Sequence, residues 1–448
     1  MFNILKTNAM LETTESFFEK NATIIKVAAI GFLTLLLLIP MSMIQSLVME
    51  RRARQIEATN DISSKWGFEQ RITGPILTIP YYTFDLNKEN KRINIVKRFA
   101  NFLPEDLRVD GEIAPEVRYR GIFQVAVYQS NLKINGHFAK PVVDIGTSNV
   151  EIDWKGAFIS MGITDLRGIS QAIEFAWNGD ILVCEPGVID EKLLKSGITV
   201  NNVISSPLTE KYSFSVGINL NGSKGLSFVP VGRETLVTLQ SSWNNPSFDG
   251  AFLPATREVT EKGFSASWKV LELNRNYPQK WYDREVNLQN SAFGVSLILP
   301  IETYQITERS MKYAILFFSL TFITFFFVEI LHRMKVHPIQ YILVGFGLTL
   351  FYLLLLSLSE HIGFGWAYLL ASAGIIVMIS SYSHSMFYSY KLTALVAALL
   401  SVLYGFLYIL LQMQDYTLLM GSIGLFIILS GLMYISRKVK WYAINDKS

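Results

Sequence analysis

The sequence has very little cysteine and almost no excess charge. The first property excludes certain kinds of covalent and metal site, and the second argues against one class of binding partner. A single cysteine, Cys184, occurs among 448 residues. It excludes an intramolecular disulfide and any metal cluster built from several cysteines. The formal net charge is only +3, so nucleic-acid binding has no electrostatic support. Apolar residues, by contrast, make up 50% of the chain, and they concentrate near residues 24–49 and from residue 311 onward.

The signatures of several enzyme classes are also missing. The sequence has no Gly-Lys dipeptide and hence no P-loop, no G-x-S-x-G elbow and no H-E-x-x-H motif. One S-x-x-K motif links Ser130 to Lys133, but it lies in a strand-like pattern, where a spacing of three puts the side chains on opposite faces. His332 and His337 share one loop without the carboxylates or thiols that would complete a metal site. We therefore expect no catalytic site, no metal and no cofactor.

Six apolar runs are long enough to cross a membrane, which needs about 20 residues for about 30 Å of hydrocarbon. They cover residues 27–49, 311–331, 339–358, 362–382, 393–412 and 416–435. A cleaved signal peptide is the alternative for the first run, but that run is longer than the usual apolar region of such a peptide. The last five runs are joined by short loops, which predicts a bundle of antiparallel neighbours.

The distribution of lysine and arginine predicts how these helices are oriented. Basic residues occupy alternate loops and the tail: Arg333 and Lys335, then Lys391, then Arg437, Lys438, Lys440 and Lys447. The turns between carry only Glu360 or Asp415. The positive-inside rule then puts both termini in the cytoplasm and residues 50–310 outside it. The basic cluster at residues 50–54, "ERRAR", opposes this orientation locally.

The segment between the first two runs reads as a β-rich domain, because its hydrophobic residues recur with a period of two. In "YSFSVGINL" the apolar residues from Tyr212 to Leu220 alternate with Ser, Gly and Asn. The following turn "NGSKG" predicts a hairpin to a strand containing Leu226 and Phe228. Between residues 123 and 138 the apolar residues move from odd positions to even ones, and a bulge or turn near Gln129–Asn131 would explain this shift. The odd positions are Phe123, Val125 and Val127, and the even ones are Leu132, Ile134 and Phe138. We predict an antiparallel β sandwich or a pair of small sheets.

The start of this domain predicts a helix that continues beyond the membrane. Ala58, Ile62 and Trp66 are spaced four apart, which places them on one helix face. Gly67 is a natural stop, with Lys65 in the last turn. We therefore expect a juxtamembrane helix over residues 51–66.

A turn-rich stretch follows that helix and is a candidate for coupling the membrane to the sheet. Pro75 pushes Gly74 into an extended conformation, and its nitrogen cannot donate a hydrogen bond to a neighbouring strand. The residues "ILTI" are therefore predicted as a short strand between Pro75 and Pro80. The candidate coupling residues are Trp66, Gly67, Gly74 and Pro75. The alternative is an ordinary helix-to-strand connection that transmits nothing.

These predictions combine into an α+β membrane protein with five parts. They are a cytoplasmic segment (1–26), a transmembrane helix (27–49), a periplasmic β-rich, sandwich-like domain (50–310), a bundle of five transmembrane helices (311–435) and a basic cytoplasmic tail (436–448).

Several long segments resemble the CreD family of bacterial inner-membrane proteins. They include "SSKWGFEQRITGPILTIPYY", "LPEDLRVDGEIAPEVRYRGIFQVAVY", "NGSKGLSFVPVGRETLVTLQSSWNNPSFDGAFLPATREV" and "TERSMKYAILFFSLTFITFFFVEIL". The resemblance runs from about residue 50 to about residue 385. It implies a periplasmic domain between one N-terminal span and a helical bundle. It also implies a link to cell-envelope integrity, to a two-component system that responds to envelope or β-lactam stress, and to colicin tolerance. It implies no catalytic residues.

Two places in the apolar region carry charge and are candidate functional positions. Glu329 lies near one end of its span, where Arg333, four residues on, is expected to pair with it; a proton-coupling role is the alternative. Glu360 and His361 lie in the turn "SLSEHIGFGW". There the carboxylate would favour the charged form of His361 and make the turn a pH sensor or a contact point. A plain polar turn is the alternative.

The leading hypothesis is a non-enzymatic envelope protein whose β domain binds, senses or buttresses an envelope component. Its expected partners are the lipid bilayer and an envelope protein or cell-wall component, and the sequence leaves the oligomeric state undetermined. A transporter or channel with a periplasmic accessory domain is the alternative; it would need broken spans, buried charges or repeated halves. An envelope hydrolase or transferase is a third hypothesis, for which no nucleophile, base or metal group was found.

Overall fold

A computed structural model describes residues 22–146, 149–204, 209–299, 303–332, 334, 336–413 and 416–437. The chain divides into two compact units. One contains Met1–Arg54 together with Ile301–Ser448 and is helical, and the other contains Gln55–Pro300 and is rich in β structure. An N-terminal apolar helix, a large β-rich unit and a set of apolar helices thus follow one another along the chain, as the sequence predicts.

The helices follow the apolar runs of the sequence. Their bounds are Ala22–Leu36 (α1), Leu38–Trp66 (α2), Thr303–Lys312 (α3), Ala314–Leu331 (α4), Pro338–Ile362 (α5), Phe364–Phe387 (α6), Tyr390–Gln412 (α7) and Thr417–Ser436 (α8). Residues Gln55 to Trp66 of α2 belong to the β-rich unit. The juxtamembrane helix predicted over residues 51–66 is therefore present, as the end of α2.

Five helical stretches in the described residues are long and apolar enough to cross a membrane. The first is Ile24–Trp66, which covers most of α1 and all of α2, and the others are helices α4, α5, α6 and α7. The apolar part of α8 is shorter, Leu419–Tyr434. Since a helix rises about 1.5 Å per residue, the 20 residues of α8 span about 30 Å, which matches the hydrocarbon thickness.

The strands of the β-rich unit form two large sheets in the described residues. The first contains β1 (Gln70–Leu86), β2 (Arg92–Phe102), β5 (Val150–Ile152), β6 (Phe158–Ile163), β9 (Glu185–Pro186), β10 (Gly197–Asn201), β12 (Gly225–Val229), β14 (Pro246–Gly250), β17 (Lys280–Tyr282) and β18 (Phe293–Leu297). The second contains β3 (Asp106–Arg120), β4 (Phe123–Ala139), β7 (Glu174–Trp177), β8 (Asp180–Leu182), β11 (Lys211–Ser223), β13 (Glu234–Ser241), β15 (Thr256–Thr260) and β16 (Gly263–Leu271).

The sheets are mixed rather than purely antiparallel. The order in the first sheet is β14-β18-β12-β1-β6-β10-β9, with β2 and β5 also paired to β1 and β17 paired to β2. The order in the second sheet is β15-β16-β13-β3-β4-β11-β7-β8. The pairs β1 with β12 and β3 with β13 are parallel. The predicted antiparallel arrangement is therefore wrong for these two pairs, each of which joins strands far apart in sequence, and the two sheets are large rather than small.

One hydrophobic core joins the inner faces of the two sheets. The alternation predicted for β11 is confirmed, since Tyr212, Phe214, Val216, Ile218 and Leu220 are all buried while Ser213, Ser215 and Gly217 are exposed. Trp268 from the second sheet is fully buried and lies 5.7 Å, centroid to centroid, from Phe293 of the first. Alternation of this kind places one face of each strand in the shared core.

The predicted hairpin at "NGSKG" is wrong. Strand β11 ends at Ser223 in the second sheet, and β12 pairs with β1 and β18 in the first. Lys224 turns the chain with a positive φ of 66°, so the segment carries the chain from one sheet to the other. The alternating pattern identifies both strands but cannot identify their partners.

Two smaller strand predictions also need correction. Strand β4 pairs with β3 and with β11 in unbroken register through Gln129–Asn131, so no bulge lies there. The apolar set shifts because residues 125–128 are buried on both faces. The strand predicted between Pro75 and Pro80 extends over Gln70–Leu86 and contains both prolines. Pro75 is tolerated because the register with β6 is irregular between Thr73 and Ile76.

Candidate functional site

The end of α2 is tied into the sheets of the β-rich unit, and Gly67 makes this possible. The backbone N–H of Gly67 donates to the carbonyl of Ser63 at 2.8 Å and closes the helix. Its φ of +139° is one that other residues rarely adopt, and a Cβ there would lie 2.6 Å from the carbonyl oxygen of Asn221. Only glycine therefore lets the chain leave the helix at this point.

The side chain of Trp66 attaches the helix end to the second sheet. Its indole N–H donates to the carbonyl of Tyr128 on β4 at 3.1 Å. The guanidinium of Arg118, on β3, lies 3.6 Å from the centre of the Trp66 ring. A cation over an aromatic face contributes about 0.5–2 kcal/mol. Because Tyr128 lies on β4 and Arg118 on β3, two neighbouring strands hold the Trp66 side chain.

Asp165 attaches the helix end to the first sheet. It follows β6, and both of its carboxylate oxygens accept from Arg167, at 2.9 Å from Nε and 3.0 Å from Nη2. The backbone N–H of Phe68 donates to the same carboxylate at 3.0 Å. Arg167 also donates to the carbonyl of Ser64 in the last turn of α2, at 2.9 Å. Arg167 thus bridges the helix end and the loop after β6.

Gln70 completes this cluster at the first residue of β1. The residue is fully buried, and its amide nitrogen donates to the carbonyls of Asp165 and Asn221 at 3.0 and 3.1 Å. Its amide oxygen accepts from the backbone N–H of Asp165 at 3.2 Å. Every hydrogen-bonding group of a buried amide must be paired to avoid a cost of about 1–3 kcal/mol, and here the partners come from two separate segments, at Asp165 and at Asn221.

Electrostatics favour the ionised form of Asp165. Burial of the carboxyl opposes ionisation, but the hydrogen bonds from Arg167 and from the backbone of Phe68 outweigh it and hold the pKa of Asp165 below its ordinary value.

We name the junction as Trp66, Gly67, Gln70, Asp165 and Arg167.

The four predicted coupling residues therefore divide into two pairs. Trp66 and Gly67 lie in the junction, whereas Gly74 and Pro75 lie further along β1, inside the first sheet. Gly74 has a φ of +116°, and a Cβ there would lie 3.0 Å from the carbonyl oxygen of Ser160. This pair shapes the irregular pairing of β1 with β6, within the first sheet. Sequence reasoning missed Asp165 and Arg167, which are about a hundred residues from the helix and carry no local motif.

Within the helical unit, Glu329 is buried and fully partnered. One carboxylate oxygen binds the ammonium of Lys26 and accepts from the backbone N–H of Val336, and the other accepts from the hydroxyl of Tyr341 at 3.0 Å. Its predicted partner Arg333 lies outside the described residues. Both oxygens of Glu329 are thus engaged by Lys26, Val336 and Tyr341. This arrangement favours a structural role, which ties α1, α4 and α5 together, over a proton-carrying one.

Glu360 and His361 are separated by the geometry of the helix. Glu360 accepts from the hydroxyl of Tyr304 at 2.8 Å and lies 3.8 Å from the Nε of Arg51, whereas His361 is exposed. The Glu360 carboxylate thus contacts Tyr304 and Arg51, because neighbouring residues on a helix point in different directions, and the sensor role of the turn stays a prediction.

Each arginine of the basic cluster at residues 50–54 lies near a carboxylate in the helical unit. Arg51 lies near Glu360, Arg52 lies 3.7 Å from Glu308, and Arg54 pairs with Glu50 four residues before it. These contacts put the cluster beside the turn that joins α5 to α6.

The remaining candidates for chemistry have ordinary structural roles. Ser130 is buried and donates to the carbonyl of Leu220, while Lys133 is exposed on the other face of β4. His337 caps α5 by accepting from the backbone N–H of Ile339. Among the residues that the structure describes, no group of three or more His, Cys, Asp or Glu side chains could hold a metal ion.

Comparison with known proteins gives concordant matches. Residues 22–442 match the family model described as "Inner membrane protein CreD". The chain is 34% identical, over 416 residues, to the inner membrane protein CreD of Escherichia coli (strain K12). The aligned region covers 92% of this chain and 92% of that protein.

Proposed function

The chain belongs to the CreD family of inner membrane proteins, and from that premise we propose that it supports cell-envelope integrity or the envelope-stress response without catalysing a reaction. In this proposal the β-rich unit lies in the periplasm and binds, senses or buttresses an envelope protein or cell-wall component. The observation that carries the proposal is the junction, which binds the end of a membrane helix to both sheets through a network of hydrogen bonds.

The contacts of the helical unit support the proposed orientation. Lys26 contacts Glu329 next to the α4–α5 loop, and Arg51 lies near Glu360 at the α5–α6 turn. The chain from residue 26 to residue 51 therefore runs between the same two ends as α5. This agrees with the alternation of basic loops, which puts both termini and the α4–α5 loop in the cytoplasm and residues 50–310 outside.

The junction explains why the membrane helix and the sheets would act together. Trp66 and Arg167 connect the last turns of α2 to β3, β4 and the loop after β6. A force applied to the sheets would reach these turns, and a change at these turns would reach the sheets, without an intervening flexible linker. In this proposal Gly74 and Pro75 serve the first sheet rather than the link itself.

Labelling of single cysteines tests the orientation. Replacing Cys184 by Ser gives a cysteine-free background, into which Lys262→Cys or Lys391→Cys is introduced. Both positions are exposed, the first in the β-rich unit and the second at the start of α7. On intact spheroplasts a membrane-impermeant maleimide should label the first variant, and the second only after lysis. Labelling of the second variant alone in intact spheroplasts would refute the proposed orientation.

Complementation tests the proposed role. A strain lacking the protein should survive β-lactam or detergent stress poorly, and the wild-type gene should restore survival. Asp165→Asn, which breaks the junction, should restore it poorly at equal protein level. Glu210→Gln, which removes an exposed ion pair with Lys140, is the matched control and should restore it fully. Full rescue by Asp165→Asn would show that the junction has no part in the function.

A further inference from the structure

A cavity of about 510 Å³, lined by both charged and apolar side chains, lies on the β-rich unit. Its walls are β1, the end of β6 and two loops, residues 192–196 and 285–289. Cavities that bind small molecules measure about 300–1,000 Å³, so this one has the size of a ligand site.

The charge of this cavity favours an anion. Arg71, Lys192 and Lys195 line it, against a single carboxylate from Glu285. In the part of the chain that the structure describes, none of the three cations is within 4.0 Å of a carboxylate. This local excess contrasts with a net charge of only +3 for the whole chain.

Arg71 is held in place by neutral partners. Its Nε donates to the hydroxyl of Ser227 at 3.2 Å and its Nη1 to the amide oxygen of Gln289 at 3.3 Å. Gln289 in turn donates to the hydroxyl of Thr73 at 3.4 Å. A guanidinium positioned in this way keeps its charge available for a carboxylate or phosphate.

A second, smaller cavity of about 160 Å³ lies beside the first. The two share Lys192, Leu193, Glu285 and Val286. The smaller cavity adds the half-buried ring of Phe99 and a balanced set of charges. The larger cavity, which we call the groove, is therefore basic, and the smaller one beside it is more nearly neutral.

We propose that this groove binds a small polar molecule through a phosphate or carboxylate group, which Arg71, Lys192 and Lys195 hold. The inference deepens the proposed function, since it rests on the binding role given there to the β-rich unit and names the chemistry of the ligand.

Protection of lysines from acetylation in the full-length, detergent-purified protein tests this proposal. The probes are sodium pyrophosphate, sodium citrate and neutral N-acetylglucosamine, each at equal ionic strength adjusted with sodium chloride. Protection follows 1 + [L]/Kd, so a probe at about nine times its Kd should slow acetylation of Lys192 and Lys195 roughly tenfold. Lys155 and Lys262, both exposed elsewhere on the same unit, should react at an unchanged rate. The pyrophosphate and citrate arms separate a phosphate ligand from a carboxylate one.

A pair of charge-reversal variants provides the matched control. Lys192→Glu combined with Lys195→Glu should melt like the wild type without probe and lose the probe-induced rise in melting temperature. Lys155→Glu combined with Lys262→Glu should keep that rise. Equal protection of all four lysines, equal protection by N-acetylglucosamine, or no protection by either anion would overturn the proposal. None of these results would alter the expected stress phenotype of the junction variants, so the two proposals can fail separately.

Discussion

Replacing Asp165 by Asn is the sharpest test of the junction, because it keeps the size of the side chain and removes its charge. The Asp165 carboxylate accepts from the backbone N–H groups of Phe68 and Arg167 and twice from the Arg167 guanidinium. Each oxygen therefore faces two donors. An asparagine must turn its NH₂ toward one such pair, which leaves both donors of that pair without an acceptor.

The expected cost follows from these bonds. A hydrogen bond to a charged group contributes about 1.5–3 kcal/mol, and a buried donor left unpaired costs about 1–3 kcal/mol. The guanidinium of Arg167 is 56% exposed, so water can replace part of what it loses, and its share is discounted accordingly. Each pair contains one partly buried backbone N–H, that of Phe68 or that of Arg167, and the one that loses its acceptor carries most of the penalty. We expect a local destabilisation of about 2–4 kcal/mol.

Hydrogen exchange in the full-length protein measures this loss directly. Since about 1.4 kcal/mol corresponds to a factor of ten, peptides covering residues 63–70 should exchange roughly thirtyfold faster in Asp165→Asn. Glu210→Gln is the control, because Glu210 is 85% exposed and its ion pair with Lys140 contributes about 0–1 kcal/mol. Equal exchange over residues 63–70 in the two variants would refute the reasoning.

The same residue predicts the sign of a pH effect. The pKa of Asp165 lies below its ordinary value of 3.8 in the folded state. Its contribution to stability is therefore fully present above that ordinary value and is lost as the pH falls through the lowered pKa. Wild-type exchange over residues 63–70, corrected for intrinsic rates, should accelerate in that acid range, whereas Asp165→Asn should show no such step.

Three further substitutions test other parts of the molecule. Gly67→Ala should lower the melting temperature of the purified protein and raise proteolysis near residue 67, because its Cβ would lie 2.6 Å from the Asn221 carbonyl; unchanged cleavage would contradict this. Trp268→Ala should lower the unfolding free energy of the β-rich unit by about 3–5 kcal/mol, since Trp268 is fully buried, as denaturant titration can check. Glu329→Gln should destabilise the helical unit in a melting experiment by unpairing Lys26, and adding Lys26→Met should recover part of the loss; no recovery would count against the ion pair.

Local pattern was sufficient for the membrane-length helices and for several individual strands. The apolar runs predicted α4 to α8 because a membrane helix needs about 20 apolar residues in a row, a property of contiguous sequence. The spacing of Ala58, Ile62 and Trp66 and the stop at Gly67 predicted the end of α2 for the same reason. The alternation from Tyr212 to Leu220 predicted β11 with its buried face.

Pairing across the chain was beyond what local pattern can determine. The period of two identified β11 and β12 but suggested a hairpin, whereas the strands belong to different sheets. Adjacency in the sequence suggested that the Glu360 carboxylate would act on His361, whereas the fold brings that carboxylate to Tyr304 and Arg51.

Sequence alone thus determined which segments are helix or strand and which of them are apolar enough for a membrane, because both properties depend on residues that are adjacent or a few positions apart. Only the tertiary structure decided that Asp165 and Arg167 hold the helix end and that Arg71, Lys192 and Lys195 surround one groove. Those contacts join residues about a hundred positions apart, and burial of a shared core, rather than any local motif, brings them together.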